Sequence, residues 1–231
     1  IRDSKYKYRQ VLRIPMLPHH NLVYGRVLHN TIHFYLRQKM TGKTICEKEL
    51  IEEYFAHWIN EGFLSREHEE MRKKDGEKAL RLFYNRQESS GIVPLYLEKE
   101  FRWQHDSIKF TGRWDRIDAL DKGGVIIDYK ATTVKDQKEA NKRARDSLQM
   151  DLYALSFSKT MDLPLLEIQL YFHASDIIGH PEKGQKEHSR AWEKIEEAEI
   201  GIKREDFRAK PDWHNCNFCD FKTICPDSYA Y

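Results

Sequence analysis

The stretch GRWDRIDALDKGGVIIDYK, residues 112–130, predicts the centre of the fold. Its first part alternates polar and apolar residues as a strand does, and residues 121–124 are typical of a tight hairpin turn. The β-branched run that follows, residues 125–130, suits a buried central strand. We therefore expect two neighbouring strands joined by a tight turn, with Asp115 and Asp128 facing each other across them.

The segments on either side predict a mixed sheet flanked by helices. Alternation indicates a strand over residues 94–104, and the sequence also predicts strands over residues 107–119, 125–130 and 165–173. Apolar residues at helical spacing indicate helices over residues 22–40, 47–60, 65–88, 136–160 and 186–200. The predicted fold class is α/β, in a single domain over residues 1–231. Its parts are a helical region (1–90), a sheet core (91–175) and a C-terminal helix with a cysteine-bearing tail (176–231).

Composition limits the class of protein. The chain has 231 residues, and its hydrophobic fraction of 40% is too high for a disordered chain. Its net charge of +2 excludes a histone-like polycation or an acidic tail, but local basic patches could still bind nucleic acid. No apolar run approaches the ~20 residues of a membrane span, and no signal peptide is visible. We therefore expect a cytoplasmic protein with no membrane partner.

Asp115, Asp128 and Lys130 form the candidate active centre. Two carboxylates that converge at a strand end suit a hard divalent cation, Mg²⁺ or Mn²⁺. Lys130 follows Asp128 by two residues, so both side chains lie on one face of the strand. There its ammonium can orient a nucleophile or stabilise negative charge, as phosphodiester hydrolysis requires. The simpler alternative is a set of solvated salt bridges at a strand end.

Five short motifs in a fixed order carry a family resemblance. They are GxxxH (25–29), GxxD (112–115), DYK (128–130), QxxxY (149–153) and CxxC-x5-C (216–225). With these motifs the chain resembles the RecB-type nuclease branch of the PD-(D/E)xK superfamily. That branch includes AddB-like and UvrD-type helicase-nucleases and CRISPR-associated exonucleases. The resemblance covers residues 6–226 and implies a restriction-endonuclease-like core.

The resemblance also implies a function and a set of site residues. The function is a metal-dependent DNA nuclease, in expectation an exonuclease, that acts on single-stranded or end-bearing duplex DNA within a DNA-repair helicase-nuclease. The implied ligands and active-site residues are the His29, Asp115 and Asp128 side chains, the Tyr129 backbone carbonyl, Lys130 as catalytic lysine, and Gln149 and Tyr153 as supporting groups. Glu100, on the preceding strand, would add an outer acid. The alternative is a non-catalytic DNA-binding clamp, stapled by a metal or iron–sulfur site.

Cys216, Cys219 and Cys225 form a compact thiolate group in the tail. Metal binding explains them better than disulfides, since no signal peptide is visible. The resemblance implies a [4Fe–4S] cluster with a fourth cysteine near the N terminus, where this chain has Asp3 and Ser4. Three alternatives stay open: a ligand lost at the N terminus, Cys46 or His214 in its place, or no cluster. Zinc held by the three cysteines and His214 is also chemically acceptable.

Basic residues before Gln149 predict contacts to DNA. Lys142, Arg143 and Arg145 lie on the helix that leads to it, where they could track a phosphate backbone. A second group at residues 72–74 suits a solvated helix face equally well.

Overall fold

The computed structural model describes residues 4–16, 18–181 and 185–229, and the chain divides into two compact units. The larger unit is Pro18–Glu187. The smaller unit joins Ile1–Leu17 to His188–Tyr231. A single domain over residues 1–231 stays a prediction.

The larger unit is built on a five-stranded sheet with the order β1-β2-β3-β4-β5. The strands are β1 (Tyr96–His105), β2 (Ile108–Leu120), β3 (Gly123–Lys130), β4 (Leu165–Phe172) and β5 (Ile177–Gly179). Only β3 and β4 pair in parallel; the other neighbours are antiparallel. The two-residue turn between β2 and β3 confirms the predicted hairpin, whereas the three-residue β5 was not predicted.

Five helices cover this sheet: α2 (His20–Met40), α3 (Glu47–Ala56), α4 (Arg66–Ser90), α5 (Gln137–Asp146) and α6 (Leu148–Thr160). The first three lie close to the predicted spans. The predicted helix over residues 136–160 is divided at Ser147, which has extended backbone angles. Because this residue separates α5 from α6, the prediction of one continuous helix is wrong.

Apolar residues fill both faces of the sheet. On one face, Val125 and Ile127 of β3 join a core cluster that includes α2, α3 and α4. On the other, Ile126 packs with residues of α5 and α6. This alternation along β3 gives a three-layer arrangement of helices, sheet and helices, as the predicted α/β class requires.

One residue reverses the facing of β1. Leu97 packs on the α2–α4 side of the sheet, whereas Phe101, four residues later, packs on the α5–α6 side. In a regular strand these two residues would face the same side. Between them, Glu98 adopts the left-handed region with φ of 51°, which is costly for a non-glycine residue. The reversal therefore lies at Glu98.

The smaller unit contains α1 (Ser4–Tyr6), a π-helical turn (Lys7–Val11), most of α7 (Gln185–Lys203) and α8 (Trp213–Asn217). Aromatic pairs tie its two chain segments together: Tyr6 stacks with Phe207, and Tyr8 packs on Phe221. The short helices α1 and α8 were not predicted. Among the described residues, none of the helices is both long and apolar enough to cross a membrane.

Candidate active site

Asp115, Asp128 and Lys130 meet where β2 and β3 lie side by side. The pairing of Arg116 with Ile127 puts Asp115 and Asp128 next to each other along the two strands. The Tyr129 backbone N–H donates to Asp115 Oδ2 at 3.0 Å. Lys130 Nζ lies 2.6 Å from Asp128 Oδ2. The hairpin thus brings these predicted residues together.

Gln149 connects Lys130 and Asp128 to α6. Its side-chain oxygen accepts from Lys130 Nζ at 2.9 Å, and its Nε2 donates to Asp128 Oδ1 at 3.0 Å. Nε2 also donates to the Tyr153 hydroxyl at 2.8 Å. That hydroxyl donates in turn to the backbone carbonyl of Arg113 on β2, at 2.8 Å. The QxxxY motif therefore fixes the lysine and its carboxylate, because residues four apart share one face of the helix.

His29, Glu98 and Asp115 form a second group beside this network. One ligand atom from each lies within 4.8 Å of the others, the only such group of histidine, cysteine or acidic side chains in the described part of the chain. His29 Nε2 is 2.6 Å from Glu98 Oε1, and His29 Nδ1 is 3.8 Å from Asp115 Oδ2. Oxygen and imidazole donors suit Mg²⁺ and Mn²⁺.

Asp128 offers one further donor atom. The residue is buried, and its Oδ2 lies against the Lys130 ammonium at 2.6 Å. A buried carboxylate oxygen in this state is suited to a cation. The residues present therefore fit a divalent metal, with His29, Asp115, Asp128 and Glu98 as the side chains that would hold it.

Glu98 is the residue that sequence reasoning missed. The expected acid on β1 was Glu100, but Glu100 is largely exposed and lies 4.0 Å from Arg102. Glu98 instead contacts His29, and its other oxygen lies 2.5 Å from Arg113 Nε. Strand alternation puts both glutamates on one face, so only the left-handed backbone at Glu98 separates them. No sequence signal marks a glutamate for that conformation.

The glycines of two motifs have different structural roles. A Cβ on Gly112 would come within 2.4 Å of the Phe101 ring, so the GxxD glycine leaves room for an aromatic side chain. A Cβ on Gly25 would meet Ala131 at 3.6 Å, an ordinary contact. α2 therefore lies close to the end of β3 at Gly25, but there is room for a small side chain at this position.

Burial sets the protonation of the two aspartates. It raises the pKa of Asp128 to about 6, against the opposing charge of Lys130. Burial also raises the pKa of Asp115, which nearby His29 and the Tyr129 N–H lower. The carboxylates thus lack water and would gain from a cation. Burial raises the pKa of Tyr153, so its hydroxyl stays protonated as a donor.

The predicted DNA-contacting residues lie on the exposed surface of α5. Arg143 pairs with Glu139 at 2.6 Å, and Arg145 lies 3.8 Å from Asp146. Lys142 and Arg143 line a shallow depression of the surface together with Glu139. The structure does not bring these three residues into the hydrogen-bond network of Asp128, and DNA contact there stays a prediction.

The cysteines of the smaller unit line a cavity of about 180 Å³. Cys216, Cys219 and Cys225 share it with Ser4 and Lys5. His214 does not line this cavity but packs on Phe218. Cys46 belongs to the larger unit, at the N-cap of α3.

Comparison with known proteins agrees with this geometry. The model of the PD-(D/E)XK nuclease superfamily matches residues 3–226. A crystal structure of "Putative exonuclease" from Eubacterium rectale superposes with a TM-score of 0.54 at 10% identity. The match covers 96% of this chain and 80% of that one, and it supports the restriction-endonuclease-like fold alone. No curated protein matches the chain.

Proposed function

Since the chain belongs to the PD-(D/E)XK nuclease superfamily, we propose that it is a Mg²⁺- or Mn²⁺-dependent deoxyribonuclease that cleaves DNA from an end. The observation that carries this proposal is the Asp128–Lys130–Gln149 network beside the His29–Glu98–Asp115 group. A non-catalytic clamp would not need a lysine held at a buried carboxylate.

The chain's own residues would divide the work of hydrolysis. A bound divalent cation supplies positive charge for the phosphate and activates water. His29, Asp115, Asp128 and the Tyr129 carbonyl would hold it, with Glu98 as an additional side chain. Lys130, steadied by Gln149, would orient the attacking water and stabilise the negative charge that develops on the phosphate. Tyr153 would keep Gln149 in place through its bond to the β2 backbone.

The test is digestion of end-labelled single-stranded and duplex DNA with Mg²⁺, Mn²⁺ or chelator. We expect metal-dependent cleavage by the wild type and a loss of at least about a hundredfold in Lys130→Ala and Asp128→Asn. Lys99→Ala, on β1 beside the Tyr96 ring, is the control and should cleave normally. Cleavage that survives both active-site substitutions would refute the assignment. Binding without cleavage by the wild type would favour the clamp.

We also propose that the three tail cysteines hold a [4Fe–4S] cluster. The three cysteines line one cavity together, and their CxxC-x5-C spacing follows the pattern that carries such a cluster in the resembling family. Ser4, at the place of the expected fourth cysteine, lines the same cavity. Anaerobic purification should give brown protein with iron and sulfide, and Cys219→Ser should lose the colour. A colourless protein containing one zinc per chain would contradict this.

The finer assignments rest on the order of the five motifs. It supports membership of the RecB-type branch, partnership with a helicase and a role in DNA repair in the cytoplasm. Co-purification of the chain, in its natural host, with a helicase activity would test that partnership.

A further inference from the structure

Helix α2 carries no acidic residue along its 21 positions, although the chain has 37 aspartates and glutamates. Its inward side supplies buried apolar residues to the core. Its outward side carries Arg26, Asn30, His33 and Arg37. These positions lie on one face, since Arg26 and Arg37 are eleven residues, or about three turns, apart.

The two arginines of this face have no partner of opposite charge within the part of the chain that the structure describes. Neither Arg26 nor Arg37 forms a side-chain hydrogen bond or ion pair with any residue in the described ranges. Some other exposed arginines are paired, for example Arg81 with Glu77 and Arg143 with Glu139. Although the protein has nearly equal numbers of acidic and basic residues, α2 itself carries no acidic residue to balance these arginines.

The same helix supplies His29 to the candidate metal group. Arg26 lies one turn before His29, and Arg37 lies two turns after it. His33, between them, is within electrostatic range of both Glu98 and Arg37. The face of α2 that carries the two arginines therefore passes beside the His29–Glu98–Asp115 group and extends beyond it in both directions.

We propose that Arg26 and Arg37 bind backbone phosphates of the nucleic-acid strand on either side of the phosphate that is cleaved. This rests on the proposed nuclease function. The two residues are separated by about 16 Å along the helix axis, which corresponds to about five phosphate steps of a duplex strand. Guanidinium groups bind phosphate through paired, charge-assisted hydrogen bonds, and such contacts position a strand without reading its sequence.

The experiment measures binding of fluorescently labelled single-stranded and blunt duplex DNA in Ca²⁺, at several salt concentrations. Arg26→Ala and Arg37→Ala should each weaken binding about tenfold at low salt. Each should also reduce the slope of log affinity against log salt by about 0.7 to 0.9. Arg26→Lys and Arg37→Lys keep the charge and should recover most of the slope. In cleavage assays the loss should appear mainly in KM.

Arg102→Ala is the matched control, because Arg102 is an exposed arginine of β1, outside α2, that lies 4.0 Å from Glu100. It should bind DNA as the wild type does. If the wild type cleaves DNA and both α2 variants keep its affinity and salt slope, the phosphate contacts are refuted while the nuclease stands. An equal loss in Arg102→Ala would refute them too, since any basic side chain would then serve.

Two further outcomes separate the two proposals. If the wild type binds DNA through these arginines but does not cleave it, the phosphate contacts stand and the nuclease function fails. If it neither binds nor cleaves DNA, both fail. Thermal unfolding of each variant checks that it is folded, which the exposed positions of Arg26 and Arg37 lead us to expect.

Discussion

Glu98 shows how a single backbone conformation can select between two chemically identical residues. Its left-handed φ turns one glutamate of β1 towards His29 and Arg113, while Glu100 remains near Arg102 in solvent. Such strain costs about 1–3 kcal/mol and persists where surrounding contacts hold it. Besides forming its ion pairs, Glu98 would serve as a further ligand of the proposed metal ion.

Metal titration distinguishes the two glutamates. We expect Glu98→Gln to lower Mn²⁺ affinity at least about tenfold, because an anionic donor is replaced by a neutral amide. Glu100→Gln, on the same strand, should bind Mn²⁺ as the wild type does. Isothermal titration calorimetry in the absence of DNA measures this without relying on cleavage. Equal affinities in the two variants would show that Glu98 is not a ligand.

At the scale of elements, the β1–β2 hairpin depends on the fit between Gly112 and Phe101. The phenylalanine ring lies over the glycine and packs on Trp114 at a centroid distance of 4.5 Å. Because Asp115 is three residues beyond Gly112, this contact helps set the position of the strand that carries the carboxylate.

Alanine substitution at the two motif glycines should therefore have different effects. Gly112→Ala forces the Phe101 ring to move and should reduce the free energy of unfolding by about 1–3 kcal/mol. Gly25→Ala, inside α2, has room for its methyl group and should leave stability unchanged or raise it by about 0.5–1 kcal/mol. Urea unfolding measures both. A Gly112→Ala protein as stable as the wild type would mean that the ring has another place to go.

These elements also show what a sequence can and cannot predict here. Alternation and the tight turn predicted β2 and β3, and helical spacing predicted α2 and α4, because each pattern is local. Within β2, Arg116 and Asp118 are two residues apart and form a buried ion pair at 2.6 Å, as strand alternation allows. The break at Ser147 and the reversal at Glu98 depend on distant packing, and neither has a local signal. The site residues that belong to local motifs could be predicted. Glu98 was missed because its backbone conformation has no local sequence signal.

At the scale of the whole molecule, stability against pH depends on buried groups with opposite signs. Asp115 and Asp128 have raised pKa values, so the folded state holds their protons more tightly and gains stability as the pH falls. His173 acts in the opposite direction. It follows β4 directly, and burial lowers its pKa to about 3. Its Nδ1 has no hydrogen-bond partner among the described residues.

His173 should therefore destabilise the protein in mild acid. Its contribution to stability is complete above the unfolded pKa of about 6.5 and is lost as the pH falls towards 3, because only the unfolded state takes up the proton. Between pH 7.5 and pH 5 the loss should be about 2 kcal/mol. His173→Gln removes this term, so its free energy of unfolding should fall less than that of the wild type over the same interval.

His57→Gln, an exposed position on the same unit, is the control and should follow the wild type. If urea unfolding gives the same pH dependence for His173→Gln and the wild type, the buried imidazole is protonated in the folded state or hydrated there, and the acid sensitivity of the fold must arise from other groups.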